Sequence, residues 1–323
     1  MTATGRKLLT HVERMPLKQY YKLIPLAGMG LMLPFFFYGG PSGNSLRSFM
    51  AAWNLGHPLF FMLFVCYFGW KKGSLVSWAW IGRIFLLILL IGALIEIIQS
   101  GIPGRTASAL DVVRDLMGGV LGVVWLRWSR SPLKVRLGLA LIAGVILCWN
   151  LYPVATALVD EWQAGRDFPL LAGFEHPYEA SRWVEGNSTA RRSRKQARQG
   201  NFSLCVSLST ATYSGVHLEY FPHNWQGLSF LVFSIYNNGF RPLAITVRVN
   251  DKKHEEGLQL YKDRYNRSFI THHGWNDIKI SLADIRKAPA NREMNMSEIS
   301  ELGFFVIRQR TDKMIFLDDV RLI

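Results

Sequence analysis

Residues 78–100 read WAWIGRIFLLILLIGALIEIIQS, and this stretch decides the class of the chain. Between positions 78 and 98 the only charged residues are Arg83 near the start and Glu96 near the end. A helical run of roughly 20 apolar residues matches a hydrocarbon layer of about 30 Å, so this segment predicts a membrane span. Four further apolar runs lie around it, at 23–38, 55–70, 110–125 and 137–155. The shorter ones need interfacial residues to reach across. The first follows a basic stretch, as a signal sequence does. Phe35-Phe36-Phe37-Tyr38 is no small-residue cleavage site, however, and four more runs follow, so it is expected to remain as a helix. The expected fold is multi-domain: a five-helix transmembrane α bundle over 1–155, followed by a different kind of structure.

Charge gives the bundle a direction. The chain carries 37 Lys and Arg against 23 Asp and Glu, and most of the excess falls before residue 155. Arg6, Lys7, Arg14, Lys18 and Lys22 precede the first run, Lys71 and Lys72 join the second to the third, and Arg127, Arg130, Lys134 and Arg136 join the fourth to the fifth. The alternate connections hold only Arg47 and Arg105. Basic residues that flank apolar runs in this pattern mark the cytoplasmic side, not a nucleic-acid partner. The N-terminus is therefore expected in the cytoplasm and residues 156–323 outside it, periplasmic or extracellular, with the lipid bilayer as partner. Cys66, Cys148 and Cys205 are widely spaced and form no zinc motif, and the second half needs no disulfide.

Only four acidic residues precede residue 155, and three of them are Glu96, Asp111 and Asp115. Ionisable groups at membrane depth are costly unless paired or hydrated. Glu96 and Gln99 share a helix face, as do Asp111 and Asp115. Under the expected topology His57, Glu96, Gln99, Arg105, Asp111, Arg114 and Asp115 all approach the outer leaflet and form a candidate polar pocket. Gly118, Gly119 and Gly122 would let a neighbouring helix come close. The alternative is that these groups only pair with one another, for example Arg114 with Glu96, and lock the bundle.

Glu96-x-x-Gln99, then Pro103-Gly104-Arg105, then Asp111 with Gly118 downstream, resembles the VanZ-like membrane protein family over about residues 20–130, with His57 at the family's helix-two histidine. Two positions depart from the family pattern. Asn54 and Leu55 stand where an Asp-Lys pair is usual, and Asp115 stands where an asparagine is usual. The resemblance implies a bacterial inner or plasma membrane protein in a cell-envelope context, with no reaction attached.

Beyond a linker at 156–171, apolar runs become short and alternate in β fashion at 202–208, 216–220, 228–235, 243–249, 268–271, 277–281, 301–306 and 314–323. Eight such runs separated by turn residues predict an all-β jelly-roll sandwich over 172–323. The basic segment 191–198 is expected as a solvated loop. The runs Val249-Asn250-Asp251, 261–267, Gly274-Trp275-Asn276 and the closing Asp318-Asp319-Val320-Arg321-Leu322 resemble carbohydrate-binding domains of the galactose-binding-like type. The resemblance implies saccharide binding through aromatic and polar side chains, for which Trp225, Tyr236, Asn238, Arg241, Asp251, His254, Tyr261, Asp263 and Arg264 are the candidates. Some members of that type carry a structural calcium, whose acids would map to Glu175, Asp318 and Asp319. No other cofactor is implied. The combined expectation is an envelope protein that binds or scaffolds a polysaccharide or cell-wall glycan. The rival is a membrane enzyme that uses Glu96, Asp111, Asp115 and His57 on a lipid-linked substrate.

Overall fold

The computed structural model describes residues 17–40, 45–72, 77–102 and 107–323. Arg6, Lys7, Arg14, Pro103, Gly104 and Arg105 lie outside the described residues. The chain divides into two compact units, Met1–Ala155 and Thr156–Ile323.

The first unit contains α1 (Leu17–Met32), a 3-10 turn (Leu33–Phe36), α2 (Arg47–Trp53), α3 (Gly56–Lys72), α4 (Trp78–Ser100), α5 (Ala109–Trp128) and the start of α6 (Leu133–Asp167). Among the described residues these are seven helical segments, where five helices were expected. Proline accounts for both extra segments. Pro34 stands at the opening of the 3-10 turn and ends α1. Pro58 has no N–H to give and its ring crowds the carbonyl four residues back, at Asn54. The helix begun at Arg47 therefore stops at Trp53 and restarts at Gly56, with Pro58 in its first turn, where proline is tolerated.

Three stretches, Arg47–Trp70, Trp78–Ser100 and Leu133–Asp167, are long and apolar enough to cross a membrane, and Leu23–Phe36 is a shorter apolar helix. Ser77 caps α4 by accepting from Trp80 N at 3.3 Å. Phe61, Val65 and Ile88 are fully enclosed between helices, while Leu86, Leu90, Leu94 and Ile97 of α4 face outward. A helix apolar on every side suits lipid contact. The approach of α5 to α3 depends on Gly118, where a Cβ would lie 2.2 Å from the Pro58 carbonyl oxygen.

In the second unit, residues 156–167, expected as part of a linker, continue α6. Asp160 is buried there against Arg182, with Nη2 to Oδ1 at 2.8 Å. Arg182 also donates to Leu171 O at 3.1 Å. The strands are β1 (Leu170–Ala172), β2 (Trp183–Gly186), β3 (Ser188–Ser193), β4 (Ser203–Leu208), β5 (Tyr213–Leu218), β6 (Phe230–Asn237), β7 (Leu243–Asp251), β8 (Tyr265–Thr271), β9 (Gly274–Ser281), β10 (Ile299–Ile307) and β11 (Lys313–Leu322). They form two antiparallel sheets: β3-β4-β11-β6-β9, with β1 on β11, and β2-β5-β10-β7-β8. The eight expected runs fall on β4 to β11. The three strands not foreseen are β1 to β3, which are short or polar. β3 corrects the loop expected at 191–198, because Arg191, Arg192 and Ser193 pair with β4.

Alternating residues of both sheets, among them Leu204, Phe233, Ile245, Val247, Phe304 and Leu317, close a continuous core. The unit is a β-sandwich. A register shift between Asp318 and Arg321 marks a bulge in β11, and Asp319 sits there at φ +52°. On one edge of β11, β4 covers residues 313–317 and β1 takes over at Val320 and Arg321. A bulge is the usual device for such a change of partner.

Candidate functional site

In the helical unit the fold brings most of the expected polar residues together. His57, Glu96, Gln99 and Asp115 are each at most 7% exposed, and Asp111 is 9% exposed. His57 Nδ1 stands 2.9 Å from Asp115 Oδ1. In the neutral imidazole an accepting carboxylate on that side favours the tautomer with the proton on Nδ1, which leaves the Nε2 lone pair free. The ring packs edge-on against Phe36, 4.9 Å between centres, and Gln99 Nε2 holds the Phe36 carbonyl at 2.9 Å. Glu96 Oε2 accepts from Ser108 N at 2.6 Å, which ties the end of α4 to the cap of α5. Arg114 pairs with Asp111 one turn earlier on α5, not with Glu96.

Two carboxylate oxygens in this interior, Glu96 Oε1 and Asp115 Oδ2, have no hydrogen-bond partner. His57, Glu96 and Asp111 each offer a ligand atom, all within 4.8 Å of one another. Among the described residues no other group of three or more such side chains converges in this way. Arg105 lies outside the described residues.

The β-sandwich distributes its expected ligand residues over several places. Trp225 is 1% exposed in the core and donates from Nε1 to Pro222 O at 3.2 Å, so it presents no surface to a sugar. Tyr236 lies on the outer face of the first sheet between Trp275 and Phe316, at 5.4 and 6.0 Å. Asn238 and Arg241 are exposed at the β6–β7 turn.

Asp251, His254 and Asp263 belong to a structural network around Arg292. Burial works against charge on Asp251, but Arg292 and the amides of Asn295 and His254 outweigh it and hold the carboxyl below its usual range. Arg292 does the same for Asp263. Tyr261 and Arg264 border a cleft of about 380 Å³ that also includes Asn266 and Arg267.

The three acids mapped to calcium are engaged by N–H donors. Glu175 Oε1 accepts from Asn201 N and Phe202 N at 2.8 and 2.9 Å. Asp318 Oδ2 accepts from Arg198 N and Gln199 N at 2.6 and 3.1 Å, and Asp319 Oδ1 accepts from Arg321 at 2.9 Å.

A second polar surface emerges on the outer face of the sheet β2-β5-β10-β7-β8, mostly from residues the sequence did not single out. Pairing registers put Val184, His217, Gly303, Arg248 and Asn266 in one row across five strands. The next row is Gly186, Gly215, Phe305, Thr246 and Ser268. Gly215 and Gly303 leave the middle of this face without side chains. Tyr213 packs on Phe305 at 6.0 Å, and the Arg248 guanidinium lies 5.8 Å over the Phe305 ring. Arg248 pairs with Glu301. Burial, reinforced by Arg264, brings the Arg248 pKa down to about 10. Burial, then the charge of Arg248, also lowers His217 below the ordinary histidine value. Arg248 Nε, Arg264 Nε and both amide atoms of Asn266 are buried without partners. The register needed to see this row depends on pairings between strands far apart in sequence, so no local signal could have shown it.

Solved structures similar to this chain include an exo-β-agarase, at 16% identity and TM-score 0.40, covering 48% of this chain. The match covers 24% of the agarase, so the chain spans about a quarter of that enzyme's length. The family 11 carbohydrate-binding module from Clostridium thermocellum matches at 15% identity and TM-score 0.38, over 48% of this chain and 94% of the module. The CBM22-1 xylan-binding domain from Paenibacillus barcinonensis Xyn10C matches at 16% identity and TM-score 0.34, over 49% of this chain and 95% of that domain. No curated protein matches. Residues 3–130 match the family model described as VanZ/LLP1, the family that Glu96, Gln99 and Asp111 resemble.

Proposed function

We propose that this chain is a VanZ-like cell-envelope membrane protein whose β-sandwich binds a glycan outside the cytoplasm, acting by binding or scaffolding in polysaccharide or cell-wall metabolism. The observation that carries this reading is the outer face of the five-stranded sheet. It combines the exposed rings of Tyr213 and Tyr261 and the half-buried ring of Phe305 with four buried polar side-chain atoms that have no protein partner, on Arg248, Arg264 and Asn266. A sugar offers the matching chemistry, with C–H faces for the rings and hydroxyls for the guanidinium and amide groups. The alternation of basic and apolar segments supports the extracytoplasmic side for this unit.

A second reading is favoured by one observation in the helical unit. The unpartnered oxygens of Glu96 and Asp115, beside His57, suit a membrane enzyme acting on a lipid-linked envelope substrate.

The test of the first reading is a glycan array probed with the full-length protein in detergent, with neutral and acidic polysaccharides both present. Selective retention on one glycan class is expected. Uniform background across the array would reject glycan binding.

A further inference from the structure

We infer that His57, Glu96 and Asp111 form a binding site for one divalent transition-metal ion, with Asp115 as the residue that positions the histidine. The ligand atoms of the three side chains lie within 4.8 Å of one another, close enough to share one ion. Each comes from a different helix: α3, α4 and α5. Each is also held by a contact that leaves a donor free. Asp115 Oδ1 takes the Nδ1 side of His57 at 2.9 Å, so Nε2 is the nitrogen we assign to the ion. A carboxylate behind a histidine is the usual arrangement at protein metal sites, because it fixes the tautomer and makes the ring a better base. Ser108 N occupies only Oε2 of Glu96. Glu96 Oε1 has no partner although the residue is 6% exposed. A buried oxygen left without a partner is costly, and a cation offsets that cost.

Charge points the same way. Three carboxylates gather here, Glu96, Asp111 and Asp115, and Arg114, one turn along α5, pairs with Asp111. The donor set is one imidazole nitrogen and carboxylate oxygens. That combination suits zinc or another first-row divalent ion better than calcium or magnesium, which prefer all-oxygen shells, or copper(I), which prefers sulfur. Three protein ligands leave a coordination position open, as in sites where the ion meets a substrate or water and not in closed structural sites.

The proposal stands apart from the saccharide reading and needs no activity assay. Tag-free full-length protein in detergent is stripped with EDTA, dialysed against buffered Zn²⁺ or Co²⁺, and assayed for metal per chain. One ion per chain is expected. Glu96→Gln and Asp111→Asn should weaken binding about 100-fold, and Asp115→Asn, which acts through the histidine, about 10–100-fold. Wild type that retains no metal above buffer overturns the proposal, as does unchanged binding by both ligand variants. If a variant does not purify folded, X-ray absorption on the zinc-loaded wild type decides. An imidazole-plus-oxygen shell supports the site, and a shell without imidazole overturns it.

Discussion

His57 on α3 and Asp115 on α5 meet across the helix interface with 2.9 Å between Nδ1 and Oδ1, and neither side chain is more than 9% exposed. The contact exists because α5 can approach α3 to backbone distance. At Gly118 a Cβ would stand 2.2 Å from the Pro58 carbonyl oxygen and 2.7 Å from its Cα. Backbone cannot yield as a flexible side chain does. Gly118→Ala is therefore expected to push the helices apart and cost about 1–3 kcal/mol. Gly30→Ala, where a Cβ meets nothing within 4 Å, should be close to neutral. Thermal unfolding of both variants in detergent checks the pair, and equal midpoints would refute the close-packing account.

The polar cluster of the helical unit was legible in sequence because Glu96, Asp111 and Asp115 are conspicuous among apolar neighbours, and the spacing of Glu96 and Gln99 already placed them on one face. The hydrogen-bond pairing was not legible. Arg114 reaches Asp111 and leaves Glu96 to Ser108, a choice set by where the α5 cap lands against α4. In the sandwich, alternation located β4 to β11, but no local pattern tells which residues of β5, β10, β7 and β8 stand side by side. Trp225, expected as ligand surface, lies in the core for a related reason. An aromatic in a loop looks like ligand surface until Met296 O is seen accepting from its backbone N–H at 2.7 Å and Phe221 packing on its ring.

The Arg182–Asp160 pair carries a prediction about stability. Arg182 Nε faces both carboxylate oxygens of Asp160, at 2.9 and 3.1 Å, and each residue is 2% exposed. Arg182→Met removes the guanidinium from a buried carboxylate and is expected to cost about 3–5 kcal/mol, whereas the double variant Arg182→Met/Asp160→Leu should recover much of the loss. Thermal unfolding of the two single variants and the double variant gives the coupling. A double variant no better than the worse single variant would refute this account, because the loss would then not come from the carboxylate left unpaired.

Two histidines set a pH window for the sandwich. Burial lowers His217 below the ordinary value, with Arg248 adding to it, and burial also lowers His254, against the opposing pull of the nearby Asp263 carboxylate. The folded unit therefore binds fewer protons than the unfolded chain. This stability is fully present above the unfolded histidine value of about 6.5 and is lost as pH falls through the folded values. Unfolding midpoints should drop between pH 7 and 5, and His217→Gln should flatten part of that slope. Asp251 and Asp263, held low, add a further loss as pH falls below about 4.

The two outer faces of the sandwich can be separated by single substitutions, since each has its own aromatic group. On the first sheet Tyr236 stands against Trp275 and Phe316, and the neighbouring polar row is already paired: Ser234 Oγ donates to Asp277 at 2.7 Å and Arg198 caps the same carboxylate. A ligand there would have to break bonds the protein makes with itself. On the second sheet Arg248 Nε, Arg264 Nε and the Asn266 amide have no protein partner, although they are buried beneath neighbouring side chains, so a ligand that shifts those side chains gains bonds at these atoms. Asn266→Ala is the sharper test, because both of its amide atoms are unpartnered and its removal leaves no orphan behind. It should weaken glycan binding by about 1–2 kcal/mol, roughly ten-fold, with little change in unfolding midpoint. Tyr236→Ala should leave affinity within about two-fold if the first sheet takes no part. Titration of both variants by affinity electrophoresis distinguishes the faces, and the reverse ranking would move the binding surface to the Tyr236–Trp275 side.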